Sequence, residues 1–516
     1  MTNNPAAAES APRHYDVVVV GAGLSGIGAA HYVQSECPWA TYTVFEARAA
    51  IGGTWDLFRY PGIRSDSDMY TLGFGFRPWR SDKAIADGAS IREYIVDTAR
   101  AEGIDRQIQF HRKVVAASWS TDDARWTLTV LDTESGESTQ VTCQFLFSCT
   151  GYYRYDRGHE PDFPGRDDYR GTFIHPQHWP EDLDYAGKRI VVIGSGATAV
   201  TLIPSLAAKA AHVTMLQRSP TYIMSLPDED PVAKTMQKVL PESLSGPAIK
   251  WMKALSTQGF FRLSRRSPKM MKKAIIAGVR RQLPDGFDVE RHFTPTYDPW
   301  DQRVCLVPNA DLFKAIKSGK ASVVTDHIDA LTADGIALTS GEFLPADIIV
   351  SATGLELLFA GGIEFTVDSE PLDPAQRFAY KGMMLEGVPN FALAMGYTNA
   401  SWTLKCELTC KFVADLLNVM RRRRQRQVTP TNADPTLVAE PMLPLTSGYI
   451  TRAIDKMPKQ GTKAPWQTYQ SYLKDFRTNR VRGDELDPAL VLSNPVLPAR
   501  EKPEPEKPEP ERAGVA

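Results

Sequence analysis

Gly21, Gly23 and Gly26 sit in YDVVVVGAGLSGIGAAHYV, after an apolar run at 15–20 and before a helical pattern. In that setting the first glycine permits a tight turn and the second lets backbone approach a pyrophosphate. The third lets helix pack closely on strand. Twenty residues after Gly26 the predicted strand TYTVFE ends in Glu46, an acid placed to accept the hydroxyls of an adenosine ribose. A second copy, RIVVIGSGATAVTLIPSLAAKAAHVTMLQRS, carries Gly194, Gly196 and Ala199 and ends in Gln217, Arg218 and Ser219. A cation at Arg218 suits the 2′-phosphate of NADP, which an acid would repel. A solvated strand-end arginine is the alternative reading of the same residue.

Two such loops require two strand–turn–helix units, so the expected fold is α/β with two Rossmann-like dinucleotide-binding domains, the sequence form of a two-nucleotide flavoprotein. FLFSCTGYY (145–153) and DIIVSATGLEL (347–357) each read as a buried strand running into Thr-Gly. The second pair, Thr353 and Gly354, marks a crossing between domains beside a nucleotide. The predicted organisation is a flexible N-terminus over 1–14, a discontinuous FAD-binding domain over 15–155 and 355–495, and an NADPH-binding domain over 156–226 and 284–354. A helical insertion in the second domain fills 227–283, a helix covers 407–420, and a disordered Pro/Glu tail covers 496–516.

The 516 residues hold 59 Lys+Arg against 61 Asp+Glu, a net charge of −2, with 43% hydrophobic positions. The last sixteen residues contain five Glu, two Lys and one Arg, which accounts for the whole imbalance. A body this close to neutral excludes a dedicated nucleic-acid binder. Cys37, Cys143, Cys149, Cys305, Cys406 and Cys410 form no CxxC pair, so free thiols in a reducing compartment are expected, with no metal centre and no redox disulfide. The N-terminus lacks a signal pattern, and no segment approaches the roughly 20 apolar residues of a spanning helix. A cytoplasmic location is the resulting expectation. Between Glu242 and Asp285 there is no acidic residue, and 262–281 holds eight Lys/Arg. This basic 243–284 segment reads either as a peripheral membrane-contact surface or as the solvated face of an inserted helical hairpin. Oligomeric state is not legible.

In IGGTWDLFRYPGIRSDSDMY, Gly53, Thr54 and Trp55 lead to Tyr60-Pro61-Gly62 and then to Asp66. This resembles the [A/G]GxWxxxx[F/Y]P[G/M]xxxD signature of the FAD- and NADPH-dependent Baeyer-Villiger monooxygenases. Their other fingerprint, FxGxxxHxxxW[P/D], is matched by Tyr169, Gly171, His175, Trp179 and Pro180, with Tyr for Phe at the first position. Longer stretches such as HPQHWPEDLDY, YDPWDQRVCLVPN and GYTNASWTLK resemble the ethionamide-activating members of that family, and the likeness runs over about 15–473.

The resemblance implies a monooxygenase that takes hydride from NADPH onto FAD, adds O2 to form a C4a-peroxyflavin, and inserts one oxygen next to a ketone carbonyl to give an ester or lactone. It further implies oxidation of sulfides or thioamides. A peroxide anion beside a flavin must be kept from water and paired with a fixed cation. Arg303 in PWDQRVC matches the family arginine that does this, and arginine suits the role because it stays charged and offers planar donors. Asp66 matches the aspartate that positions that arginine, with Asp68 as its competitor two residues on. Trp55 is expected at the flavin–nicotinamide junction. His175 is expected to be a linker bonded to backbone rather than a base, and His178 a bystander. Other readings are an FAD-dependent NADPH oxidase or reductase, an N- or S-oxygenating flavin monooxygenase, and a flavoprotein kept as a sensor without turnover.

Overall fold

The run 17–20 is buried because it is paired on both edges. Strand β1 (Arg13–Val20) lies between β2 (Tyr42–Phe45) and β6 (Ser138–Ser148), parallel to both. The computed structural model describes residues 12–481 and 483–495. The predicted tail at 496–516 and most of the predicted flexible N-terminus therefore lie outside the described residues.

The first glycine run feeds α1 (Leu24–Glu36) and returns to β2. The loop after β2 holds two single-turn helices, α2 (Thr54–Leu57) and α3 (Met69–Leu72), before α4 (Gly88–Ala101). Strands β3 (Ile108–Gln109), β4 (Arg112–Ser120) and β5 (Arg125–Asp132) then extend the sheet. This nine-stranded sheet continues through the strands Glu364–Val367 and Glu370–Pro371, and the strand Phe391–Leu393 pairs with β6. One face is covered by α1, α4 and the long helix Trp402–Arg422, and the other is closed around Trp119 and Trp126.

The second unit is a five-stranded parallel sheet. It contains β7 (Thr172–Ile174), β8 (Arg189–Ile193), β9 (His212–Gln217), β12 (Ala321–Thr325) and β13 (Ile348–Ser351), in the order β12-β9-β8-β13-β7. Helix α5 (Ala197–Ala207) follows the second glycine run. A parallel pair, β10 (Ile223–Leu226) with β11 (Cys305–Pro308), brackets the insertion, which folds as α6 (Pro231–Val239), α7 (Glu242–Arg266) and α8 (Pro268–Arg280).

The insertion leaves the chain in the second unit but docks on the first. Lys250 of α7 pairs with Glu407 of the long helix, both nearly buried, and Glu407 also accepts from the Gly75 N–H at 2.6 Å. Trp251 packs edge-on to Phe476 at 4.8 Å, and Gln258 reaches the Gln470 carbonyl at 3.2 Å. The helix expected over 407–420 begins earlier, at Trp402, and ends at Arg422. Lys405 and Glu407 are both buried in it, so charged side chains interrupt the apolar pattern where the helix starts.

Across the second sheet, Asp347 accepts from the Arg189 side chain at 2.6 Å and from the Arg189 N–H at 2.8 Å. These bonds hold its carboxyl down at about 2, below the ordinary ~3.9. A depressed folded value stabilises above about pH 4 and is lost as pH falls from there toward 2. Asp347→Asn is therefore expected to lower the neutral-pH Tm and to flatten the acid limb of a Tm-against-pH series. An unchanged acid limb would contradict this.

Candidate active site

The two glycine turns are built alike. Gly21 has φ +106 and Gly194 φ +133; a Cβ would lie 2.6 Å from the Cys149 carbonyl oxygen in the first turn and 2.5 Å from the Ala352 oxygen in the second. Both positions need glycine for conformation and for space. A Cβ on Gly26 would overlap the Gly21 carbonyl oxygen, whereas the equivalent place in the second copy accommodates the Ala199 methyl in a buried contact. The backbone of Gly23 abuts Gly53, with a Cβ on Gly53 only 3.0 Å from the Gly23 Cα. The first nucleotide loop and the Gly53-Thr54-Trp55 segment thus form one surface.

That surface is a wall of a cavity of about 700 Å³ between the two units. Among the residues singled out in the sequence, Gly21, Gly23, Glu46, Gly53, Thr54, Trp55, Asp66 and Arg303 line it. Glu46 is buried and accepts from the Ala22 N–H at 2.7 Å and the Arg48 N–H at 2.9 Å. Burial pushes its carboxyl up against those bonds.

Arg303 reaches the cavity because Cys305 starts β11 with its N–H on the Tyr222 carbonyl at 2.8 Å. Its guanidinium meets Asp66 at 2.8 Å, with side chains 30% and 40% exposed, so both groups are open to the cavity they line. Asp66 and the partly buried Tyr152 and Tyr153 favour the charged guanidinium, Asp66 most, and raise its pKa. Asp66 is fixed between two anchors. The Ser65 N–H donates to the Ala86 carbonyl at 2.9 Å, and Asp68 caps α3 by accepting from the Thr71 N–H at 3.0 Å and its hydroxyl at 2.8 Å. Asp68 is therefore committed as a cap, and Asp66 is the carboxylate that meets Arg303.

The remaining expected residues lie outside this cavity. Arg218 is exposed just past β9, in a turn whose Ser219 carbonyl accepts from the Ser195 hydroxyl at 3.2 Å. It thus stands beside the Gly194–Gly196 turn. Thr353 donates to the His159 carbonyl at 2.7 Å, and the Gly354 carbonyl faces His175 Nε2 at 3.2 Å. His175 Nδ1 accepts from the Gln177 N–H at 3.2 Å, which leaves the proton on Nε2, and burial lowers the ring's pKa. The ring is thus bonded to backbone through both nitrogens. Tyr169 donates to the Ala346 carbonyl at 3.1 Å, Gly171 has no room for a Cβ against that tyrosine, and Trp179 packs in the second core while Pro180 is exposed. The second fingerprint fastens the strands that cross between units.

Sequence reasoning missed Arg48, Arg64, Tyr152 and Tyr155, all on the cavity wall. Arg48 lies two residues past Glu46 and pairs with buried Asp56 at 2.6 Å while one of its nitrogens has no partner. Arg64 pairs with Asp311 at 2.5 Å and likewise keeps an unpartnered buried nitrogen. An arginine following a strand-end acid was a usable signal; Arg64 and the tyrosines carried none. In all, six Lys/Arg face three Asp/Glu in the cavity. That excess, two turns without room for Cβ atoms, and orphaned guanidinium N–H groups fit anionic dinucleotides.

Two glycine turns, each after a strand paired in parallel with its neighbours, and a cavity between the units with a fixed arginine–carboxylate pair are the features of a two-nucleotide flavoenzyme. The chain belongs to the flavin-binding monooxygenase-like family, whose model matches residues 83–360, and an NAD(P)-binding Rossmann-like domain matches residues 19–82. It is 53% identical over 468 residues to the FAD-containing monooxygenase EthA of Mycobacterium tuberculosis, covering 90% of this chain and 95% of that one. It is 47% identical over 465 residues to a probable FAD-binding monooxygenase, AlmA, of Acinetobacter baylyi, covering 90% and 93%. Among solved structures, an oxidized steroid monooxygenase bound to NADP superposes with a TM-score of 0.69 at 25% identity, over 81% of this chain and 88% of that one. An ε-caprolactone-bound cyclohexanone monooxygenase gives 0.67 at 22%, over 81% and 90%, a likeness of fold. Among the described residues no helix is long and apolar enough to cross a membrane.

Proposed function

We propose that this protein is an FAD-containing, NADPH- and O2-dependent Baeyer-Villiger monooxygenase that converts a ketone to an ester or lactone and also oxidises sulfides or thioamides. The observation that carries the reading is the Arg303–Asp66 pair at 2.8 Å on the wall of the cavity. Overall, ketone, NADPH, a proton and O2 give ester, NADP+ and water. Bound FAD supplies electron storage and oxygen activation, and NADPH supplies the hydride.

The roles of the chain follow from its geometry. Gly21, Gly23 and Gly26 with Glu46, Gly53 and Thr54 hold FAD, and the orphaned nitrogen of Arg48 adds a donor. Gly194, Gly196 and Ala199 with Arg218 hold NADPH, while Thr353 and Gly354 fix the crossing between the units. Arg303 presents a permanent cation to negative charge developing on oxygen, and Asp66 fixes the direction of its fork. Trp55, Tyr152 and Trp402 close the walls with aromatic surface, the last two stacked at 4.9 Å, which keeps water from the reacting atoms. The domain boundaries that suit these roles are 15–155 with 355–495 for FAD and 156–226 with 284–354 for NADPH. Six buried free cysteines support a reducing, cytoplasmic setting.

The test is coupling. Purified enzyme given NADPH, air and a linear ketone is expected to form ester in proportion to NADPH consumed, and to oxidise an aryl methyl sulfide. Hydrogen peroxide as the sole product across ketones and sulfides would favour the oxidase reading.

A further inference from the structure

Seven of the ten exposed large apolar side chains among the described residues, from Leu226 to Met270, lie in or beside the helical insertion. Three of them lie on α7 and α8 on either side of the turn between these helices, where only Ser267 separates the two. There Leu255, Leu263 and Met270 are 48%, 46% and 51% exposed. Around them Arg262, Arg266, Lys269 and Lys273 are exposed and have no ion-pair partner among the described residues. At 100° per residue, Leu255, Arg262 and Arg266 fall within a sector of about 40°, with Leu263 one step beyond. The far side of α7 is committed inward: Ala254 and Ser264 are buried, and Phe260 and Phe261 pack on Trp300.

We propose that this α7–α8 corner docks on an anionic lipid surface, with Leu255, Leu263 and Met270 entering the headgroup region and the four cations meeting lipid phosphates. Charge selects the occupant. No acidic residue lies between 243 and 284, and the nearby acids Asp301 and Glu290 are taken by Arg265 and Arg280. A second copy seated on the same patch by two-fold symmetry would set these cations against themselves, whereas an anionic leaflet attracts them and accepts the apolar side chains. The helix that rests on lipid is also the one that backs Trp300, three residues before Arg303. This placement suits an apolar substrate dissolved in a bilayer, although the docking itself does not depend on the ketone reading.

The experiment is sedimentation of the flavin-loaded, full-length enzyme with phosphatidylcholine vesicles, with or without phosphatidylglycerol. Three proteins are compared: wild type, Arg262→Gln/Arg266→Gln/Lys269→Gln/Lys273→Gln, and Leu255→Ser/Leu263→Ser/Met270→Ser. Wild type is expected to pellet with the phosphatidylglycerol vesicles only and to be released by salt. The charge variant is expected to partition on the order of 1000-fold more weakly, and the apolar variant at least about tenfold more weakly. Lipid-free NADPH oxidation should be unchanged in both, which reports folding; should either multiple variant misfold, Arg266→Gln and Leu263→Ser alone keep the same directions. Failure to pellet, equal pelleting with both lipids, or equal binding by the charge variant would overturn the proposal. So would a patch substitution whose sole effect is to change oligomeric state without lipid, which would assign the face to a second copy.

Discussion

Arg303→Ala is expected to cut oxygenated product by about 10²–10³-fold, the loss typical of removing one fixed group that stabilises charge developing on oxygen. NADPH oxidation should continue, with its electrons leaving as hydrogen peroxide. The split between the two readouts is diagnostic, because the glycine turns and Glu46, proposed to hold nucleotide, stand apart from the segment just before β11 that carries the arginine. Arg303→Lys restores a charge but not the planar fork that meets Asp66 at 2.8 Å, so it should recover only part of the product yield. Asp66→Asn should resemble the lysine variant more than the alanine one, since it loosens the cation without deleting it. Measuring ester and peroxide per NADPH consumed decides the matter. Undiminished ester in Arg303→Ala would remove the arginine from the chemistry.

A second large effect is expected at Gly26. A methyl there would overlap the Gly21 carbonyl oxygen, and the Gly21 turn has little room to shift, since a Cβ on Gly21 would itself lie 2.6 Å from the Cys149 carbonyl oxygen. Overpacking rigid backbone at this point should cost about 3 kcal/mol or more, so Gly26→Ala is expected to be purified colourless or not to accumulate at all. Gly196→Ala is the control from the second copy. It has nothing within 4 Å of its Cβ and φ −77, a conformation any residue adopts. That variant should keep its yellow flavin and lose affinity only for NADPH, through poorer backbone approach to the pyrophosphate. Retained flavin in Gly26→Ala, or flavin loss in Gly196→Ala, would contradict the assignment of the two turns.

Much of this was legible in the residue order because the decisive features are local. A strand–turn–helix–strand unit spans about thirty residues and carries its own steric logic, which is why both Rossmann-like units were legible. Asp66 came from the family fingerprint and Arg303 from the resemblance of PWDQRVC to the family; nothing in local spacing joins two residues so far apart in the chain. The structure supplies what brings them together, namely the β10–β11 pair on one side and the Ser65 and Asp68 anchors on the other. The docking of the insertion was hidden for the same reason. Lys250 and Glu407 meet across 157 positions, and a buried charge disguises the helix that carries it. The cationic lining was also dispersed, since Arg48 and Arg64 lie at separate points of the loop after β2 and Arg303 far along the chain, and they become one electrostatic field only once folded.

The most direct test of the central claim is to supply the enzyme with NADPH, a linear ketone and heavy-isotope dioxygen, then measure the ester by mass spectrometry. The account predicts one heavy oxygen atom per ester, inserted beside the carbonyl, and none when the label is in the water instead. Unlabelled ester, or NADPH consumption with peroxide as the only labelled product from ketones and sulfides alike, would contradict it.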